Sequence, residues 1–246
     1  MDSLGNSSPL DPPGRVTRTL LRWLMRPARV TAVQTLSPHF RLVDLEGEGL
    51  RDAAWSTGQK IQVAMGSGLS SRTYTPISWD TAHGRTQLLT FSHGEGPGSR
   101  WASSLREGDH CQFLGPRRSL DLSGLELPVV LFGDETSFAL ASALRDSAQA
   151  RGAIHVFEAS NVAESRLVLE AIRLSQATLI ERIAGDNHLA AVEAETLRLA
   201  ASGANFILTG KASSIQRVSR ALKAGGVASS RLKTKVYWAP GKVGLD

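Results

Sequence analysis

The strongest constraint on the fold is a change of texture at Ser123-Gly124-Leu125-Glu126-Leu127-Pro128. Before it, from Arg29 to Leu122, short alternating runs are separated by turn residues: Val30 to Leu36, Phe40 to Leu45, Lys60 to Met65, Arg72 to Pro76, Thr86 to Ser92 and His110 to Gly115. Six strands at this spacing predict a small antiparallel barrel. One helix interrupts it, from about Ser99 to Leu105 and ending near Gly108. After the break, Val129-Val130-Leu131-Phe132 is continuously apolar and a helical pattern follows from Ser137 to Arg151. That is the rhythm of a parallel sheet with crossover helices. It continues through Ile154 to Glu158, Thr178 to Ile183, Leu189 to Ala200 (helix), Phe206 to Thr209, Ser213 to Ala224 (helix) and Leu232 to Trp238. The chain therefore divides into a tail at 1–28, a β-barrel at 29–122, a linker at 123–128 and an α/β domain at 129–246.

Composition narrows the function classes. The single cysteine, Cys111, excludes an internal disulfide framework and a four-cysteine cluster. No apolar run reaches the length of a membrane span, and Leu20 to Arg26 is too short and arginine-broken for a secretory signal, so a cytoplasmic location is expected. Charge is uneven: residues 1–41 hold six Arg against two Asp, 42–210 fourteen basic against twenty acidic residues, and 211–246 eight basic against one Asp. The aromatic-basic interleaving of a nucleic-acid reader is missing, so the basic ends point to an anionic small molecule or acidic partner. Arg15, Arg18, Arg22 and Arg26 recur at helical spacing opposite Leu20, Trp23 and Leu24, predicting a surface helix that stops at Pro27.

Two stretches carry chemistry. Ser71-Arg72-Thr73-Tyr74-Thr75-Pro76 offers a guanidinium, hydroxyls and an aromatic plane, with Arg72, Tyr74 and Pro76 on one strand face. His93-Gly94-Glu95-Gly96-Pro97-Gly98-Ser99-Arg100-Trp101-Ala102 is a glycine-rich turn opening a helix, with Ser99 as its expected cap and its N–H groups open to a phosphate. Alone, the first is an ordinary strand ending in a Thr-Pro turn, and the second an ordinary loop. Together they suit a flavin dinucleotide. A third turn, Gly133-Asp134-Glu135-Thr136, lies where α/β sheets receive ligands, although its acidic pair opposes a pyrophosphate.

The order of these pieces, with Val30 to Val33, Phe40 to Gly47, Gly115-Pro116-Arg117-Arg118 and Tyr237-Trp238 with Gly241, resembles the siderophore-interacting protein family of ferredoxin-reductase-like flavoproteins. The resemblance implies an FAD-binding barrel, a nucleotide-binding-type α/β domain and reduction of ferric iron held by a siderophore. It assigns Arg72, Thr73, Tyr74 and Thr75 to the flavin ring and phosphate, and His93, Gly96, Gly98, Ser99, Arg100 and Trp101 to the pyrophosphate and adenosine side. Gly133, Asp134, Glu135 and Thr136 would form the turn beside the flavin. The chain departs from the family where Gly210-Lys211 replaces Gly-Glu, and 165–201 holds no matching motif.

The six histidines show no paired spacing, so iron is expected to arrive already chelated. A flavin accepts two electrons from NAD(P)H, or electrons from ferredoxin, and releases them singly, so no protein acid or base is required. Lys60, Lys235 and Lys242 are the candidate cations for an anionic siderophore, and a monomer is expected. Two alternatives stay open: a general NAD(P)H:flavin or ferredoxin-linked oxidoreductase with a non-iron acceptor, and a binding module without turnover.

Overall fold

The computed structural model describes residues 24–65, 71–148 and 150–241, and its strands form two sheets. The first is antiparallel and built from β1 (Arg26–Thr35), β2 (Phe40–Glu46), β3 (Lys60–Ala64), β4 (Ser71–Tyr74), β5 (Pro76–Asp80), β6 (Arg85–Phe91) and β7 (His110–Arg117), with helices α1 (Glu48–Arg51) and α2 (Pro97–Ser104) between them. Its order is β4-β3-β7-β1-β2-β6-β5. The two edge strands β4 and β5 are consecutive in the chain and meet at Thr75, so the chain itself links the two ends of the sheet. Alternation puts Val30, Val43, Leu45, Ile61, Val63, Leu88 and Phe113 inside, and Cys111 joins this cluster as a buried small hydrophobe.

Seven strands replace the expected six because the run Arg72 to Pro76 is not one strand. Pro76 has no N–H to donate, and the chain breaks at Thr75 and starts β5 on the opposite edge. The predicted basic helix lies mostly outside the described residues, but Arg26 and Pro27 open β1, pairing with Phe113 and Gln112, instead of closing a helix. Pro27 sits at the start of the strand, where a missing donor is tolerated.

The second sheet is parallel, in the order β10-β9-β8-β11-β12. Its strands are β8 (Val129–Gly133), β9 (Ile154–Ala159), β10 (Thr178–Glu181), β11 (Asn205–Lys211) and β12 (Leu232–Trp238), connected by α3 (Phe138–Arg145), α4 (Val162–Ala171), α5 (Leu189–Ala200) and α6 (Ala212–Ala224). β8 is buried along its whole length, as a central parallel strand covered on both faces must be. The helix expected over 137–151 is shorter: a 3-10 turn at Glu135–Ser137 leads into α3. α4 was not anticipated. Its cap is Asn161, whose side chain accepts from the Glu164 N–H at 3.0 Å.

An aromatic stack joins the two sheets. Phe40 of β2 lies 4.6 Å from Phe91 and 5.6 Å from Phe138, and Phe138 lies 4.8 Å from Phe157 (ring centroids). Leu89 and Ile77 of the first sheet belong to the same buried cluster as Leu131 of β8, Leu140 of α3 and Val168 of α4. Nearby, Glu164 accepts from the His39 backbone at 3.0 Å and contacts its ring at 2.9 Å. The seam is thus a core in its own right, which fixes the geometry of whatever lies between the sheets. Among the described residues no helix is long and apolar enough to cross a membrane.

Candidate functional site

A cavity of about 310 Å³ opens at this seam, at the small end of the usual range for cofactor pockets (roughly 300–1,000 Å³). β4 and the Thr75 step supply Ser71, Arg72, Thr73, Tyr74 and Thr75; the β6–α2 segment supplies Leu89, Phe91, His93, Gly96, Gly98 and Ser99. Glu135, Thr136 and Ala139 enter from the start of α3, Lys235, Tyr237 and Trp238 from β12, and Lys60 and Ser119 complete the lining.

The two motifs that are separate in sequence meet directly. A side chain at Gly98 would put its Cβ 3.0 Å from Arg72 Cγ, so the bare glycine lets the guanidinium stem pass against the turn. α2 begins two residues earlier than expected, with Gly96 at the N-cap and Pro97 in the first turn. Ser99 is therefore inside the helix, and its hydroxyl donates to the His93 carbonyl at 3.1 Å, closing the loop instead of capping. Arg100 turns away to the Glu95 carbonyl. The far end of α2 is held by Arg41, which donates to the Ala102 and Ser103 carbonyls at 3.1 and 2.8 Å.

Tyr74 packs against Trp101, 5.5 Å between ring centroids. Trp101 thus supports the cavity from behind and is not part of its lining. Burial pushes the Tyr74 phenol above its ordinary range, against the pull of Arg72, and pushes Tyr237 up to about 12. Both rings therefore present neutral aromatic surface.

The turn at Gly133-Asp134-Glu135-Thr136 has a different arrangement from the one read in the sequence. Gly133 is buried at the end of β8, and Asp134, 1% exposed, points inward. Its carboxylate accepts from the Thr136 N–H at 2.9 Å, the Thr136 hydroxyl, the Lys211 N–H at 2.9 Å and the Trp238 indole N–H at 2.7 Å. Glu135 touches the cavity, and its Oε1 accepts from the Ser160 N–H at 2.5 Å while Oε2 meets Arg182 at 2.9 Å. Burial opposes ionisation of Glu135, but Arg182 and Ser160 outweigh it and hold the carboxyl below its ordinary range. Backbone donors that a pyrophosphate would use at this edge are thus already bonded to the chain's own carboxylates.

Lys211, the departure noted in the sequence, is pinned to Asp186 at 2.7 Å. Of the three candidate cations, Lys60 of β3 and Lys235 of β12 both line the cavity, and Lys242 lies outside the described residues. Sequence reading did not single out Leu89, Phe91, Ser119 or Ala139, which are apolar or small and become cavity walls only through the sheet pairing. Among the described residues no group of three His, Cys, Asp or Glu side chains is arranged to hold a metal ion.

An antiparallel sheet carrying an aromatic-cationic strand and a glycine turn, joined to a parallel sheet in the order 3-2-1-4-5, is the ferredoxin-reductase-like fold of FAD/NAD-binding proteins. Residues 66–120 match the family model of the siderophore-interacting FAD-binding domain, which bears out the resemblance carried by the motifs. The siderophore-interacting protein SipS from Aeromonas hydrophila has the same fold, with a TM-score of 0.70 and 21% identity over 89% of this chain and 94% of its own. A siderophore utilization protein from T. fusca aligns at a TM-score of 0.67 and 22% identity, covering 90% of this chain and 95% of that one. The flavohem-like FAD/NAD-binding domain of nitric oxide dioxygenase from Vibrio cholerae aligns at 0.67 and 19%, covering 87% and 99%. No curated protein matches the sequence.

Proposed function

We propose that the protein is an FAD-dependent ferric-siderophore reductase, taking electrons from NAD(P)H or ferredoxin and passing them to chelated Fe(III), which leaves as Fe(II). The observation that carries this reading is the convergence of Arg72 and Tyr74 with the bare Gly96–Gly98 turn on one cavity that also holds two lysines. The residues fit a flavin: Tyr74 and Tyr237 are neutral planes that would hold a fused ring, Thr75 lines the same cavity and would hydrogen-bond it, and Arg72 with the α2 N-terminus would hold the phosphates. FAD, when bound, supplies the conversion of a two-electron donor into one-electron steps that Fe(III) requires. Lys60 and Lys235 would attract an anionic ferric chelate, and no side chain need move a proton for the electron transfer.

The test is an anaerobic visible titration of the purified protein with NADH, NADPH or reduced ferredoxin, then a ferric catecholate siderophore. Bleaching of the flavin band followed by its recovery with Fe(II) release is the expected course. Bleaching without recovery on any ferric chelate would favour the general oxidoreductase, and a chain that takes up no FAD would sink the reading. Replacing Arg72 with Ala is expected to weaken FAD about 10- to 30-fold, the loss of one charge-assisted contact, measured as the Kd for reconstitution. An unchanged Kd would remove Arg72 from the site.

A further inference from the structure

Trp238 closes β12 and forms part of the cavity wall. Its indole is held at its nitrogen by Asp134 Oδ2 at 2.7 Å and over its ring by Arg182, whose guanidinium carbon is 5.9 Å from the ring centroid. Asp134 itself does not reach the cavity. Four donors from the ends of β8, β11 and β12 converge on its one carboxylate, an arrangement that leaves no acceptor capacity for a ligand. The approach from β11 depends on Gly210: with φ of +103°, a Cβ there would lie 2.5 Å from Asp134 Oδ2. The sequence built this contact deliberately close, since any other residue at 210 would displace the carboxylate.

We infer that Asp134 is a positioning residue, whose carboxylate fixes the Trp238 indole as the cavity wall against which the flat ring of a bound cofactor or donor is set. This rests on the flavin reading for its consequence, though not for the contact itself. An ordinary buried aspartate serving only local structure would be satisfied by its own turn, through Thr136. Here half of the bonds go to other strands, and one of them goes to the side chain of a wall residue.

The test reads the indole directly. The chain has five tryptophans, and the ¹⁵N–¹H signal that disappears in Trp238→Phe identifies the one concerned. In the wild-type protein this N–H is expected to exchange slowly with solvent. In Asp134→Ala it should exchange at least about tenfold faster, as for loss of one hydrogen bond, and Asp134→Asn, which keeps one oxygen, should fall between. Gly210→Ala, acting on the carboxylate from behind, should move the same signal. In the FAD-loaded protein, Asp134→Ala and Trp238→Phe should alter the visible circular dichroism of the flavin alike, with no further change in the double variant. Fast exchange in the wild type, no change in Asp134→Asn, or additive flavin effects would each overturn the inference; the first two decide it even if Asp134→Ala does not fold. A protein that fails to take up FAD but keeps an Asp134-dependent indole signal would instead remove the proposed function.

Discussion

Replacing Glu158 with Ala should destabilise the protein by about 3–5 kcal/mol, because it removes one partner of a buried charge cluster and leaves the others without compensation. Glu158 is completely buried at the end of β9. Its Oε2 meets His188 Nε2 at 2.7 Å, its Oε1 accepts from the Ser214 hydroxyl at 2.7 Å, and Arg182 lies 3.8 Å away. Because the Ile183 N–H approaches His188 Nδ1 at 3.4 Å, the ring is oriented with Nε2 donating to the carboxylate. Arg182 also reaches Glu135, so one cluster ties the ends of β8, β9 and β10 to α5 and α6. Alanine would strand His188 and Ser214 in the interior, each unable to reach water. Glu158→Gln, which keeps the shape and one acceptor, should cost about half as much. Denaturant unfolding measures both. An unchanged slope with the midpoint lowered is expected, and a loss below about 1 kcal/mol for Ala would show that the cluster is not a stabilising hub.

Much of this fold is legible in the sequence, for reasons that differ between the two halves. Strands of the α/β half announce themselves because a parallel strand covered on both faces must be apolar throughout, as Val129 to Phe132 is. The first half is harder, since an antiparallel strand shows only alternation, and Pro76 conceals a change of edge within what reads as one run. α4 did carry a signal: Asn161 followed by Glu164 at the third helical position is a capping pattern. It was masked because the helix is only weakly amphipathic.

The site divides along the same line. Arg72, Tyr74, Thr75, Gly96 and Gly98 come together as their motifs imply, because each motif is local and its backbone dictates where it points. Asp134 could not be placed from sequence. Its neighbour Glu135 reaches the cavity edge while Asp134 turns into the protein, where beside its own turn it meets Gly210, Lys211 and Trp238, which lie 76, 77 and 104 positions away. The conflict between an acidic pair and a phosphate, visible in the sequence, is resolved by giving both carboxylates internal partners.

Exchanging Lys60 and Lys235 together for Gln should raise the KM for a ferric tricatecholate by about two to three orders of magnitude. Each lysine contributes about 2 kcal/mol against a unit charge ~8 Å away at an effective dielectric of about 20, and about 1.4 kcal/mol is tenfold in affinity. The figure needs both groups to face the ligand from low-dielectric walls. Lys60 is only 6% exposed although it begins a strand, and Lys235 reaches the same cavity from β12 on the other side of the seam. Glu135, an acid in the same lining, is paired with Arg182 at 2.9 Å. Arg72 and the α2 turn are untouched in this variant, so FAD content should stay within about twofold of wild type. A ferric chelate of the uncharged trihydroxamate type supplies the control. Without net charge it loses little from the exchange, and its KM should move less than about threefold. Steady-state reduction of both chelates, with salt raised stepwise, separates the possibilities, since the tricatecholate KM of the wild type should also climb as charges are screened. An equal rise for both chelates would mean that the lysines hold the shape of the cavity instead of selecting charge. No rise for either would place the iron chelate elsewhere on the molecule.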